Sequence, residues 1–163
     1  MIAFSNKMNQ PYDELRKAYP RVADLPFDSE RKLMSTVHTI NGEHLLLTKG
    51  GPDVVFGRST KVLIDGEVVP LTNEILENIK EKNEHFSDRA LRVLAFAYRP
   101  IEAAEALDFD AEHDLILVGL MAMIDPPREE VYGAVAEAKK AGIKTVMITG
   151  DHKTTARAIA RDI

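Results

Sequence analysis

Residues 33–47 read LMSTVHTINGEHLLL, and this stretch decides the kind of fold that the chain adopts. The dipeptide Asn41-Gly42 separates two runs of β-prone residues, and Asn-Gly supplies the positive φ angles that a two-residue hairpin turn requires. Asp65-Gly66 lies in similar surroundings further along the chain. The sequence therefore predicts two antiparallel β-hairpins in its first half.

Further helices and strands are predicted around these hairpins. Residues 53–56 follow a glycine turn and predict a short helix, while apolar residues at helical spacing predict a longer helix over 75–90. Continuous apolar runs predict buried strands at 93–98 and 115–123. The acidic, weakly patterned residues 102–114 between them indicate a surface connection.

The pattern changes at Asp125-Pro126-Pro127-Arg128, because two consecutive prolines fit neither a helix nor a paired strand. Residues 131–138, 143–148 and 154–163 then predict helix, buried strand and helix, an alternation typical of a doubly wound parallel sheet. The predicted fold is α+β. We expect an antiparallel sheet with flanking helices to form a domain over 1–124 and an incomplete α/β Rossmann-like segment to follow over 125–163.

Composition narrows the function classes. Apolar residues make up 45% and charged residues 29%, as in ordinary globular proteins, and the net charge of −5 argues against a nucleic-acid surface. The chain has no cysteine, which excludes disulfides and thiol chemistry. No apolar stretch approaches the roughly 20 residues that span a bilayer. The histidines show no metal-ligand spacing, so no metal site is predicted.

Several short motifs could bind a phosphorylated ligand, and each also has a purely structural interpretation. Thr149-Gly150-Asp151 follows a predicted strand and opens a helix, where backbone amides favour an anion, but the tripeptide alone is more typical of a helix N-cap. Lys49-Gly50-Gly51-Pro52 places a cation beside accessible backbone, or forms an ordinary turn. Residues 125–128 have two interpretations: they form a hinge whose ends grip a ligand, or they form only a rigid linker. Phe27 is either a base-stacking platform or, as is commoner for phenylalanine, a core residue. Arg92 lies where a helix meets a strand, and an arginine there is usually solvated.

The order of these motifs is more specific than any one of them. Residues 26–35 (PFDSERKLMS), 48–53 (TKGGPD), 90–95 (ALRVLA), 125–128 (DPPR) and 149–156 (TGDHKTTA) follow one another along nearly the whole chain. This series resembles the P-type cation-transporting ATPase family, in particular its type II, calcium-pump-like bacterial branch. The resemblance implies a nucleotide-binding domain over 1–124 whose N-terminal part is truncated, followed over 125–163 by the hinge and part of a phosphorylation domain of the haloacid-dehalogenase type.

The resemblance also implies a role for each matching residue. Phe27 matches the aromatic residue that stacks on adenine, Lys49 and Gly50 match the lining of the adenosine pocket, and Arg92 matches the arginine that reaches the polyphosphate. The other implied nucleotide contacts are Lys32 beside the nucleotide and the hinge residues Asp125 and Arg128. The implied support of the transferred phosphoryl group, the catalytic part, is formed by Thr149, Gly150 and Asp151.

The function implied is that of the cytoplasmic ATP-binding portion of an ATP-driven cation pump, an ATP-hydrolysing translocase of the plasma membrane. ATP is the implied substrate and Mg²⁺ enters with it. The implied partners are the remaining phosphorylation, actuator and transmembrane domains of the same polypeptide, and no nucleic acid is expected. The Asp-Lys-Thr-Gly-Thr motif that the family phosphorylates is absent from this sequence, so the chain alone is expected to be inactive.

Two other function classes remain open on the sequence. A regulatory or binding module could retain the fold and lose the nucleotide. A free-standing phosphatase of the haloacid-dehalogenase type would require an aspartate nucleophile at the end of an N-terminal strand, and residues 1–20 predict no such strand. The transported cation is not encoded here, although the branch resemblance favours calcium.

Overall fold

The computed structural model describes residues 2–89, 91–102, 107–124, 127–148 and 153–163. The chain divides into two compact units, which are described separately below. The first unit comprises residues 1–72 and 94–120, and the second comprises 73–93 and 121–163. The domain boundary expected between residues 124 and 125 stays a prediction.

Seven strands form one sheet, in the order β1-β2-β3-β6-β7-β4-β5. Their bounds are β1 Arg21–Asp28, β2 Leu33–Ile40, β3 Glu43–Gly50, β4 Ser59–Ile64, β5 Glu67–Pro70, β6 Arg92–Ile101 and β7 Leu115–Met123. The helices are α1 Ile2–Lys7, α2 Tyr12–Ala18, α3 Pro52–Arg58, α4 Asn73–Asp88, α5 Glu129–Lys140 and α6 Lys153–Asp162, with a 3₁₀ turn at Phe109–Ala111. Across these described ranges, no helix combines the length and apolar character needed to cross a membrane.

Both predicted hairpins are confirmed. Strands β2 and β3 pair in antiparallel register around a two-residue turn in which Asn41 has φ 53° and Gly42 has φ 85°. Asp65 and Gly66 join β4 to β5 with φ values of 50° and 87°. Positive φ at both central positions is the signature of the type I′ turn, whose twist matches that of the flanking strands.

The α+β class is also confirmed, but the sheet is mixed where an antiparallel sheet was expected. Strand β4 runs parallel to β7, with Val62 opposite Leu117. A parallel pair needs a long connection between its strands, and the chain between β4 and β7 includes β5, α4 and β6. Hairpin signals in a sequence do not reveal such a distant pairing.

The two faces of the central strands differ in burial. Along β2, Leu33, Ser35 and Val37 are buried, whereas the alternate residues Met34 and Thr36 are only half-buried. Leu46 on β3 is fully buried and clusters with Val37 and Ala111. Because successive side chains of a strand point to opposite faces, the sheet has one packed face and one more open face. The open face is the one available to a ligand.

In the second unit, the two helices predicted after the double proline are present as α5 and α6, and α6 contacts α4. Helix α5 ends in a Schellman motif, since the Gly142 and Ile143 amides donate to the carbonyls of Lys139 and Ala138. Gly142 caps the helix with a φ of 72°, a left-handed conformation that favours glycine.

The buried strand predicted at 143–148 is wrong. These residues form no strand, and Val146 and Ile148 are 72% and 94% exposed. A buried strand of a parallel sheet needs neighbouring strands and helices on both faces. No strand among the described residues pairs with this segment, so its apolar composition alone does not make it a strand.

Candidate functional site

A cavity of about 500 Å³ lies on the open face of the sheet in the first unit. Arg21 and Val118 line it, and its wall is formed mainly by alternate residues of β2, β3 and β6: Met34, Thr36, Leu45, Leu47, Lys49, Phe96 and Tyr98. The buried residues Thr48 and Ala97, which lie between these positions, border the cavity as well. An apolar wall with few polar groups is the usual composition of a small-molecule site. The cavity therefore suits an apolar ligand that presents a negative charge to Lys49.

The strand register brings the key cavity residues into rows across the sheet. Met34 lies opposite Lys49, and Lys49 lies opposite Phe96 on the next strand. The neighbouring row is Thr36, Leu47 and Tyr98. Cross-strand partners have Cβ atoms about 4.5–5.5 Å apart. The aliphatic part of the Lys49 side chain is thus flanked on both sides by large apolar side chains, those of Met34 and Phe96.

Phe27 lies at a β-bulge on the edge strand β1. Leu25 pairs with Ser35 and Asp28 pairs with Leu33, which leaves Pro26 and Phe27 together opposite Met34. A bulge redirects side chains relative to regular alternation, and the Phe27 ring is 65% exposed although Leu25 is buried. Phe27 is therefore not a core residue. It does not itself line the cavity, but the cavity residue Met34 is its neighbour across the strand pair.

Lys32 and Gly50 meet at one corner of the sheet. Lys32 is exposed with φ 56°, and its carbonyl accepts from the Gly51 amide at 3.1 Å. A Cβ on Gly50 would lie 2.4 Å from the Lys32 carbonyl oxygen and 2.5 Å from the Leu33 side chain. Gly50 is thus required by the close approach of two backbone segments. This explains the glycine without reference to a ligand and places Lys32 beside the Lys49-Gly50 motif.

Arg92 and Arg128 belong to the second unit, and both are exposed. Arg92 begins β6 and Arg128 immediately precedes α5. Asp125 and the three residues Thr149, Gly150 and Asp151 lie outside the described residues. The roles expected for all of these residues stay predictions. Within the described ranges, no three His, Asp or Glu side chains come together in a way that could hold a metal ion.

The expected surface connection at 102–114 contains a buried carboxylate that sequence reasoning missed. Glu112 is fully buried, and its Oε1 accepts from Arg31 Nη1 at 2.5 Å and from Ser35 Oγ at 2.6 Å. Arg58 Nη1 lies 3.7 Å from Glu112 Oε2. The arginine and the glutamate are 81 residues apart in the chain, and nothing in the sequence signals their pairing.

The other residues that line the cavity were also not predicted from the sequence; Lys49 was. Its signal was present in the sequence, since Met34, Thr36, Leu47 and Tyr98 occupy alternate positions of strands that were predicted. Which of the two faces of a strand is open cannot be read from alternation when both faces carry apolar residues.

Comparison with known proteins agrees with the resemblance seen in the motifs. The family model described as P-type ATPase, cytoplasmic domain N, matches residues 1–130. A calcium-transporting ATPase of Listeria monocytogenes is 60% identical over the whole of this chain, and calcium-transporting ATPase 1 of Lactococcus lactis is 57% identical, also over the whole chain. The sodium/potassium-transporting ATPase subunit alpha-1 of Oreochromis mossambicus is 37% identical over 93% of the chain.

The chain spans 19% of the length of each of the two bacterial relatives and 16% of the length of the fish relative. The matched region of the family model includes every strand of the sheet and the whole cavity wall. The expected resemblance to the bacterial calcium-pump-like branch is confirmed, and the chain belongs to the P-type ATPase family.

Proposed function

We propose that the chain binds the adenosine part of ATP on the open face of its sheet. The observation that carries this proposal is the cavity in which Lys49 lies between Met34 and Phe96, next to the strand position where Phe27 is exposed. Aromatic and apolar side chains bind the base by stacking and contact. The Lys49 ammonium supplies a positive charge for an anionic ligand.

The proposal extends from this site to the whole protein. The chain serves as the ATP-binding portion of a cation pump of the plasma membrane, and it positions ATP for phosphoryl transfer to an aspartate elsewhere in the polypeptide. Calcium is the proposed cargo, because bacterial relatives that align with the entire chain are named calcium-transporting ATPases. Mg²⁺ arrives with the nucleotide as part of the substrate. The proposed partners are the phosphorylation, actuator and transmembrane domains.

The remaining proposed contacts serve the charged end of the nucleotide. Lys32, Arg92 and Arg128 are exposed cations, as a residue that meets a polyphosphate from solvent must be. Asp125, and the group Thr149, Gly150 and Asp151, are proposed to act near the ribose and the transferred phosphoryl group. Phosphoryl transfer depends mainly on positioning and electrostatic support, so these residues need no covalent role.

The test is a titration of the chain with MgATP, in which Phe27→Ala is compared with Phe4→Ala. Loss of the Phe27 ring removes a stacking contact worth about 1–3 kcal/mol, so the Kd for MgATP should rise roughly tenfold. Phe4 is a matched control, because it is an exposed phenylalanine on α1, which contributes nothing to the cavity wall. Its variant should bind as the wild type does.

An unchanged Kd in Phe27→Ala would favour the alternative in which the fold persists as a regulatory module without a nucleotide. Chemical-shift changes on titration should concentrate at Phe27, Lys49 and Gly50. A wild-type chain that shows no change at these three residues up to millimolar MgATP contradicts the proposed function.

A further inference from the structure

Beneath the cavity, on the packed face of the sheet, lies the buried polar cluster of Glu112, Arg31, Ser35 and Thr48. Ser35 and Thr48 are cross-strand partners whose hydroxyl oxygens are 2.8 Å apart, and Ser35 donates to Glu112. Met34 and Lys49 are their immediate neighbours on β2 and β3 and line the cavity on the other face. The carboxylate therefore underlies the strand positions that carry the proposed site.

Arg31 links this carboxylate to the backbone that carries Phe27. One guanidinium nitrogen donates to Glu112 Oε1 at 2.5 Å, and the other donates to the Pro26 carbonyl at 2.6 Å. The guanidinium carbon also lies 4.5 Å from the centroid of the Phe109 ring. The Arg31 side chain is only 6% exposed. A planar fork held on three sides in this way has little freedom.

The other side of Phe27 is held by a local turn. Asp28 Oδ1 accepts from the amides of Glu30 and Arg31 at 3.0 and 2.8 Å, and the Asp28 carbonyl accepts from the Lys32 amide at 2.7 Å. The segment 28–32, which we call the Phe27 loop, is thus closed by its own hydrogen bonds. Arg31 ties this loop and the Pro26 carbonyl to the buried carboxylate.

We infer that Arg31 and Glu112 are positioning residues for nucleotide binding: through the Pro26 carbonyl, they hold the Phe27 bulge in the orientation that meets the base. A carboxylate buried in the sheet is costly unless it is fully paired. The presence of Glu112 at this position fits a role in holding one arrangement of the loop. The inference rests on the proposed function, since it assigns the purpose of the orientation to the proposed adenosine site.

The test compares Arg31→Lys with Arg58→Lys in the whole chain. Both arginines face Glu112, but Arg58 donates to the carbonyls of Phe109 and Glu112 and makes no hydrogen bond to the Phe27 loop. Lysine keeps the charge and loses the fork that joins Glu112 to Pro26. Arg31→Lys should weaken MgATP binding about tenfold, whereas Arg58→Lys should leave the Kd within about twofold of the wild type.

A double variant distinguishes the positioning role of Arg31 from a merely structural one. If Arg31 acts through Phe27, then Phe27→Ala combined with Arg31→Lys should bind MgATP no more weakly than Phe27→Ala alone. Additive losses, or a wild-type Kd in Arg31→Lys, would overturn the inference. Glu112→Gln gives a second test, because it retains the shape and removes the charge that holds the guanidinium.

A readout without nucleotide keeps the inference distinct from the proposed function. The ring and amide resonances of Phe27 should shift in Arg31→Lys and not in Arg58→Lys, with both proteins folded. If the wild-type chain fails to bind MgATP but these resonances shift, the proposed function is wrong and the positioning contact stands. If the Phe27 resonances are unchanged in Arg31→Lys, the inference is wrong whether or not the wild type binds.

Discussion

At the residue scale, Gly50 and Gly51 are adjacent glycines with different reasons for being glycine. A side chain on Gly50 would collide with the Lys32 carbonyl oxygen at 2.4 Å, which is backbone and has little room to move. A side chain on Gly51 would come no closer than 3.9 Å to Lys32, and its φ of −60° suits any residue. The structure therefore requires glycine at position 50, whereas position 51 tolerates a side chain.

Gly50→Ala should lower the free energy of unfolding by about 1–3 kcal/mol, because the new methyl group overpacks the corner of the sheet. Gly51→Ala is the matched control and should change it by less than about 0.5 kcal/mol. Urea denaturation of both variants measures the difference. Equal effects of the two substitutions would contradict the close approach seen at Gly50.

At the element scale, the helices and hairpins that carry their own local signals were predicted best. The turns at Asn41-Gly42 and Asp65-Gly66 depend on backbone conformations that few residue types adopt, so both turns can be predicted from the sequence. The bulge at Pro26-Phe27 was not predicted. It results from the pairing of β1 with β2, which the residues of β1 alone do not specify.

Helix α5 offers a test of local stability, since Gly133 lies in its interior with open space around it. Gly133→Ala should stabilise the helix by about 0.5–1 kcal/mol, because alanine loses less backbone entropy on folding. Hydrogen exchange of the α5 amides should slow about two- to fivefold. Unchanged exchange would contradict the expected stabilisation of α5.

At the scale of the whole molecule, burial separates the strands of the sheet from the apolar segment 143–148. Val37 on β2 is 5% exposed and packs against Leu46 and Ala111, whereas Val146 is 72% exposed. The same residue type, with the same local β-propensity, therefore contributes to the core in one place and is solvated in the other.

Val37→Ala should reduce the free energy of unfolding by about 2–3 kcal/mol, the sum of lost transfer free energy and the cavity that remains. Val146→Ala removes the same two methyl groups and should cost less than about 0.5 kcal/mol. The free energies of unfolding of the two variants are compared by thermal or urea unfolding, monitored by the circular dichroism of the β-sheet. A similar loss in both variants would show that the 143–148 segment is packed in solution.

The sequence by itself determined the α+β class, the two hairpins, most helices and the family, because turn residues, helical spacing and motif order are local or ordered along the chain. It also identified Phe27 and Lys49 as candidate ligand contacts. Only the tertiary structure decided which sheet face is open, where Phe27 leaves regular alternation, and that β4 pairs with β7. It alone joined Arg31 to Glu112, and it shows no strand partner for residues 143–148 among the residues that it describes. These outcomes depend on pairing between distant segments, which local residue patterns do not encode.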